Sequence, residues 1–541
     1  MRGCRLLFMF VGTFLLGSQA RGTAPEGGEV KPPFFNVMEY GAHNTGSTPS
    51  TDAFNAAIQA AKQAGGGTVF IPAGSYVSGP IELFSNITLY IDAGATINFP
   101  ATNLPFAPGR QQGVEVPTPL PLIGGHDLEN VAVIGRGVLT SSNKDWLSLH
   151  QHMGRNGSDP GSANGPNWEK LLLDLNAHKA ISQDEYEAAA GELRPSFIRF
   201  MNSKNVLVDG LHFIGSPMWT VHFLYTENAV AQNLVIETYP GVHTDGIVID
   251  SSRYVKLMND YIDTGDDGIV IKSGKDADGL RVNRPTEDVT ITNCTVHHAH
   301  GAVTIGSETS GGVRNLVASN ITAVDTQNGI RIKSARGRGG VVEDLRFDNW
   351  TMENVGEAIT INNYYMMEGE TQTSQEPVSI RTPVFRNIAV SNVTVNGAKV
   401  LIDVLGLPEM PIANVHINDV IGTGKVGLID DYSDGLELHN VQLNTESGPA
   451  FQARNSTNLE LDRVSTQKPH ADTPVIRLDN TPGAIVRESK AYPDTDLFLS
   501  AGPGELKGLQ LEGNLLSNAR MAQEEKPNPD KDKLPDQRSD R

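Results

Sequence analysis

"NVLVDGLHFIGSPMWTVHFLYTENAVAQNLVIET", residues 205–238, contains one phrase twice. The phrase is an Asn, a short alternating apolar run, a polar corner and a second short alternating run, starting at Asn205 and again at Asn228. It returns as "DVTITNCTVHH" from Asp288, "NLVASNITAVD" from Asn315, "DLRFDNWTMEN" from Asp344, "NIAVSNVTVNG" from Asn387, "NVHINDVIGTG" from Asn414, "LELHNVQLNTE" from Leu436 and "NLELDRVSTQ" from Asn458. Most starts lie 22 to 29 residues apart. A strand–turn–strand unit of this size cannot bury its apolar face alone, but stacked copies can, with Val, Ile and Leu inside and Asn or Gly at left-handed corners. The expected fold is all-β, a right-handed single-stranded parallel β-helix. A sandwich or propeller would need Asn-Gly hairpin turns between paired runs, and these are too sparse.

The flanks fit a solenoid. "STDAFNAAIQAAKQAGGG" (50–67) has a polar start, Phe54, Ile58 and Ala61 on one face and a glycine stop, which predicts a helix capping the first coil. "NWEKLLLDLNAHKAISQDEYEAAAGEL" (167–193) breaks the repeat, carries a capping box from Ser182 to Glu185 and predicts a helical insertion over about 160–192. The β-helix is expected over 31–515. The tail "EEKPNPDKDKLPDQRSDR" has little to bury, and disorder is expected over 520–541.

"MRGCRLLFMFVGTFLLGSQA" has a basic start, an apolar run and small residues at cleavage spacing, so residues 1–20 read as a signal peptide and the protein as secreted, extracellular or periplasmic. Cys4 leaves with the leader, and Cys294 remains without a disulfide partner. No later apolar run is long enough to span a bilayer. The net charge of −20 argues against nucleic acid or anionic lipid as partners. An anionic ligand would need a local basic pocket, and the protein is expected to work as a monomer without a cofactor.

Chemistry concentrates in "GVHTDGIVIDSSRYVKLMNDYIDTGDDGIVIKSG" (241–274), where Asp245 is followed about one coil later by Asp266 and Asp267. Residues one coil apart in a solenoid lie about 4.8 Å apart, so the three carboxylates should converge. Further along come His300, then Arg331 and Lys333 on one strand face. One carboxyl raised in pKa by its like-charged neighbours could act as an acid while another positions water, an inverting arrangement that needs about 6.5–9.5 Å between carboxyl groups. Arg331 and Lys333 would select an acidic sugar. Taken singly, Asp-Gly and Asp-Asp are common turn residues, and three carboxylates could instead hold calcium.

"HTDGI", "GDDGIVIKSG", "HGAVTIGSETSGG" and "GIRIKS", with "FNVMEYGA", "GGGTVFIPAGSYVSGPIEL" and "SPMWTVH", resemble glycoside hydrolase family twenty-eight, the polygalacturonases. The resemblance implies a right-handed parallel β-helix that hydrolyses α-1,4-galacturonosidic bonds of pectin with inversion. It implies Asp266 as general acid, Asp245 and Asp267 as holders of the water, and His300 as the group that tunes the acid. Arg331 and Lys333 would bind the galacturonate carboxylate of a pectic polysaccharide or oligogalacturonide. Tyr364 would pack on the sugar, and His243 and Lys272 join the substrate-binding set. The run from "IKSG" to "GSETSGG" resembles exo-acting members. Two departures stand out: His243 replaces the usual Asn, and Gly268 replaces a common Cys. Rival classes are a calcium-dependent polysaccharide lyase and a non-catalytic carbohydrate-binding β-helix.

Overall fold

The computed structural model describes residues 33–149, 168–177, 179–190, 193–365 and 375–527. The expected leader, the first part of the insertion and residues 528–541 of the tail lie outside the described residues. The chain winds as a right-handed parallel β-helix. Thirty-six strands from Phe34–Asn36 to Ala519–Glu525 join one sheet. The last of them pairs with Thr495–Ala501, so ordered structure continues past residue 520, where the tail was expected to begin.

Each central coil supplies three strands to three ladders, as Glu227–Gln232, Val235–Glu237 and Ile247–Asp250 do. Inward positions stack like on like. In one ladder Val208, Ala231, Leu257, Ile291, Ala318 and Phe347 lie in register. In another, Phe223, Ile249, Ile271, Ile305 and Ile332 do the same. All are fully buried or nearly so. β-Branched and aromatic side chains suit this pleated, two-sided packing, and the period of two keeps every polar neighbour outside.

The repeated Asn marks a corner. Asn130, Asn205 and Asn228 take positive φ, and each side-chain amide donates to the one a coil below: Asn130 to Asn86 (3.0 Å), Asn205 to Asn130 (2.8 Å) and Asn228 to Asn205 (2.7 Å). A second Asn ladder runs through Asn233, Asn259, Asn293, Asn320 and Asn349. The sequence reading passed over the coil that begins at Tyr254, because there a tyrosine fills the left-handed corner (φ 57°).

The Thr51–Gln63 helix buries Phe54, Ala57, Ile58 and Ala61 against the first coils. In the insertion, helices Trp168–Asn176 and Gln183–Ala190 are described, and the Ser182–Glu185 capping box is formed. Trp168, Leu171 and Leu172 pack on Val114 and Val116 of an antiparallel hairpin, Phe106–Gln111 with Val114–Pro119. Cys294 is buried in the main core.

The corner geometry generates a stability test. Ala at position 205 must adopt φ near +56° without the amide ladder, at about 1–2 kcal/mol for the conformation alone. Asn205→Ala should therefore lower the denaturation midpoint, while Asn205→Gly, which accepts that φ, should recover part of the loss. Equal losses would mean that the corner conformation is not what selects Asn.

Candidate active site

The site lies on the outer face of the ladder formed by Ile247–Asp250, Ile269–Lys272, Val303–Ile305 and Asn328–Lys333. Main-chain bonds between coils sort its acids into two columns. Gly246 N–H donates to the Asp267 carbonyl (3.0 Å), which stacks Asp245 against Asp267. His300 N–H donates to the Asp266 carbonyl (2.9 Å), which stacks Asp266 against His300. Glycine is required where the coils approach: a Cβ on Gly301 would sit 2.2 Å from Thr304 Oγ1 and 3.2 Å from Asp267 Oδ1.

The three carboxylates converge, with one oxygen of each within 4.8 Å of the others. This is closer than the about 6.5–9.5 Å expected for an inverting pair. Adjacent coils hold the side chains side by side and do not splay them.

Asp267 is buried and fully engaged. Thr304 Oγ1 donates to its Oδ1 (2.8 Å), Lys333 Nζ to its Oδ2 (3.1 Å), and Arg331 Nη1 lies 3.5 Å from Oδ1. Asp245 is 3 % exposed, and burial, reinforced by the charges of Asp266 and Asp267, pushes its carboxyl well above the ordinary range, with Lys272 opposing. Asp266 departs from expectation. Burial pushes it up, but the hydrogen bond and charge of His300, with Lys333 adding to them, outweigh that and hold it below the ordinary value. His300, 3.2 Å away through Nδ1, is raised in turn by the hydrogen bond to Asp266. Like-charge repulsion thus acts on Asp245, while Asp266 shares a proton with His300.

Arg331 and Lys333 share the outer face of one strand, as expected, and both lie beside the Tyr365 ring (5.6 and 4.9 Å). Tyr365 is half-buried. Its neighbour Tyr364, the expected sugar contact, is turned away into a cluster with Leu405 and Leu407. Strand alternation ends at Asn362, so which of the two tyrosines faces the cleft was not readable from the pattern. Lys272, expected to bind substrate, is buried to the same degree as Lys333 and is engaged by acids. It is paired with Glu308 (2.7 Å), 3.9 Å from Asp245 and over the Trp219 ring. Despite the cost of burial, Glu308, Asp245 and Asp267 keep Lys272 strongly protonated. Lys272 in turn outweighs burial at Glu308 and brings it to about 2. His243 is exposed at the mouth, its Nδ1 3.3 Å from Arg194, a residue the sequence reading did not single out.

One side of the groove is closed. Met218 and Trp219 cover Val248 and Val270. The hairpin 106–119 then crosses from one wall to the other. Arg110 Nη1 donates to Asp250 (2.6 Å), Asp278 accepts from Glu115 N–H (2.9 Å), and Arg281 donates to Glu115 (2.6 Å). Beneath it Arg199 and His222 are 3 % and 1 % exposed.

A stacked β-helix with clustered acids, a histidine-paired carboxyl and a basic patch defines a class, the carbohydrate-cleaving β-helix enzymes. Residues 173–442 match Glycosyl hydrolases family 28, and residues 34–136 match the "Rhamnogalacturonase A/epimerase, pectate lyase-like" family. A solved hyperthermoactive exopolygalacturonase from Thermotoga maritima is 33% identical, with a TM-score of 0.68, over 77% of this chain and 92% of that one. A probable polygalacturonase of Vitis vinifera is 27% identical over 71% of this chain and 73% of its own. An endo-polygalacturonase of Pectobacterium carotovorum is 28% identical over 56% and 69%. The chain belongs to glycosyl hydrolase family 28, and it is a glycoside hydrolase of the polygalacturonase type.

The Asp266–His300 pair is testable without substrate. His300 should bind its proton to higher pH than an ordinary histidine, and its charge-assisted contribution to stability should be lost as pH rises through that raised value. In NMR titrations, Asp266→Asn should bring the His300 midpoint down. An unchanged midpoint would mean that the two groups are not coupled.

Proposed function

We propose that this is a secreted polygalacturonase that hydrolyses α-1,4-galacturonosidic bonds of pectin by inversion, removing sugars from a chain end. The observation that carries the reading is the division of the acids into an Asp245–Asp267 column and an Asp266–His300 pair beside Arg331 and Lys333. The pair holds one proton below the raised pKa of His300. Asp266 passes it to the leaving oxygen as the glycosidic C–O bond breaks, and His300 resupplies it. Two carboxylate oxygens less than 4.8 Å apart can both accept from one water at about 2.7 Å each, so Asp245 and Asp267 hold the nucleophile between them. The water adds to the anomeric carbon and gives its proton to this column, where burial makes Asp245 the stronger base.

The short separation is the one associated with retention, at about 5–5.5 Å. Engagement argues the other way. Thr304, Lys333 and Arg331 fix both oxygens of Asp267 in place, which leaves lone pairs to accept from a water but no freedom to swing onto the anomeric carbon. Calcium-dependent lyase chemistry is disfavoured by charge. Asp245, Asp266, Asp267 and Glu308 are matched by Lys272, Arg331, Lys333 and Arg194, which leaves no surplus negative charge for a divalent ion. Arg331 and Lys333, under the half-exposed Tyr365, would clamp the uronate carboxylate. The closed side of the groove supports exo action, because a polymer cannot run through beneath the hairpin, and the Thermotoga maritima relative is named an exopolygalacturonase. The leader at residues 1–20 would carry the enzyme out of the cell. Among the described residues no helix is long and apolar enough to cross a membrane.

Products released from polygalacturonate over time test the reading. Monomer or a single short oligomer from the first minutes is expected, with the β-anomer first in proton NMR. An early ladder of oligomers would overturn exo action, and an initial α-anomer would overturn the roles of all three aspartates. Separately, Arg331→Ala or Lys333→Ala should cost about 2–5 kcal/mol in kcat/KM on polygalacturonate, the range for truncating one partner of a desolvated charge pair, and less on methyl-esterified pectin. Equal losses on both substrates would make the pair structural.

A further inference from the structure

The insertion returns to the stack at Arg194, whose guanidinium is 5 % exposed and aimed at the site. Nη1 donates to the carbonyls of Pro217 (2.6 Å) and Val242 (3.0 Å), in the wall turns of two successive coils. Nη2 lies 3.3 Å from Nδ1 of His243. Burial pulls the guanidinium down to about 10, which still leaves it charged at neutral pH. A guanidinium has donors and no acceptor, so the contact requires a lone pair on Nδ1 and places the imidazole hydrogen on Nε2. His243 is exposed at the mouth, and its Nε2 has no hydrogen-bond partner among the described residues.

We propose that Arg194 is a positioning residue that fixes His243 as a neutral, one-way hydrogen-bond donor, with Nε2–H presented to an oxygen of the uronic acid polymer beside Asp266. The identity of the sugar rests on the hydrolase reading above; the tautomer does not. The groups facing the ring are Asp266 from the next wall turn, Arg194 from the insertion, Lys272 from the strand below and His300 from the following turn, with Asp245 on the same turn as His243 itself. Although the residue reaches solvent at the mouth, the protein crowded around its ring and the three cationic neighbours disfavour an imidazolium, against Asp266. Neutrality matters because an imidazolium here would add to the pull of His300 on the Asp266 carboxyl and compete for the proton the Asp266–His300 pair must deliver. The residue usual at this position in the family is Asn, neutral at every pH. Arg194, by taking the Nδ1 lone pair, adds to the other groups that keep this titratable side chain neutral.

Long-range proton–nitrogen NMR of the histidine rings in the full protein tests this, with the His243 signals assigned by their loss in His243→Asn. Wild type should show an unprotonated Nδ1 and a protonated Nε2, with a midpoint below that of an ordinary histidine. In Arg194→Ala the midpoint should rise and the preference for the Nε2–H tautomer should weaken. Arg194→Lys keeps a cation for the two carbonyls but not the fork that also reaches the ring. It should behave like Arg194→Ala and serves where the alanine variant does not fold. In kinetics on polygalacturonate, either substitution should raise KM about tenfold and add an ionisation to the pH profile, but change KM less than about twofold in a His243→Asn background. A proton on Nδ1 in wild type, ordinary titration of His243 in wild type, or the same KM change in both backgrounds would overturn the proposal, the last by showing that Arg194 only braces the turns. The NMR outcome stands whether or not the polymer is cleaved, so failure of the hydrolase reading and failure of this one are separable.

Discussion

Parallel pairing between successive coils is the constraint on which everything else depends. Each strand is fixed to its neighbours at about 4.8 Å, and side chains alternate strictly in and out. Ile247, Ile269, Val303 and Ile330 occupy one inward column and Ile249, Ile271, Ile305 and Ile332 the next, all fully buried. A slip of one residue in the Asn328–Lys333 strand would turn Arg331 and Lys333 into the core and Ile330 and Ile332 into water. The precision of the catalytic columns is therefore a by-product of core packing, with no dedicated scaffold beneath each acid. Glycines complete it where coils must close up, as at Gly246, where a Cβ would sit 2.5 Å from the Gly268 carbonyl oxygen.

On this frame the electrostatics resolve the contrast between a chain of net charge −20 and a polyanionic substrate. The overall field repels, but Arg331 and Lys333 lie at the cleft with Asp267 between them, and Lys272 lies 3.9 Å from Asp245. Glu308 has a part in this that its position in a glycine-rich loop does not suggest. By pairing with Lys272 at 2.7 Å, it keeps that cation from neutralising Asp245 fully, which leaves Asp245 basic. The two aspartates that matter most are pushed in opposite directions by the groups stacked on them: Asp245 up, through burial and like charge, and Asp266 down, through His300.

The solenoid was legible because its corners are chemically specific. Left-handed turns favour Asn, and the Asn ladder prints the period in the sequence. Where another residue fills the corner, as at Tyr254, the phrase disappears although the coil does not. Convergence of Asp245, Asp266, Asp267, His300, Arg331 and Lys333 followed from coil spacing alone. What did not follow depends on side-chain partners outside that spacing. Lys272 has the alternation of a groove residue, but its pairing with Glu308 and its nearness to Asp245 are not in that pattern. The direction of Asp266 turns on one hydrogen bond from His300, which no count of neighbouring charges contains. Tyr365 and Tyr364 differ only in where a strand stops, and Arg194 reaches the site from the end of a long insertion.

That insertion and the hairpin share a location. Residues 99–122 and 141–197 both join the ladder of Ala95–Asn98 and Val138–Thr140 to that of Ile123–His126 and Ile198–Met201, so both emerge on the same wall of the groove. Loops there can lengthen without touching any inter-coil bond, because the strands they connect are already fixed by the coils above and below. The acids and the basic pair cannot drift in this way, since each is tied to its column. Catalysis is thus carried by the geometry of stacking, and the reach of the groove, bordered by the hairpin and by the Arg194–His243 contact, is carried by one wall. A fold built this way can change how a polymer enters without altering how its bond is broken.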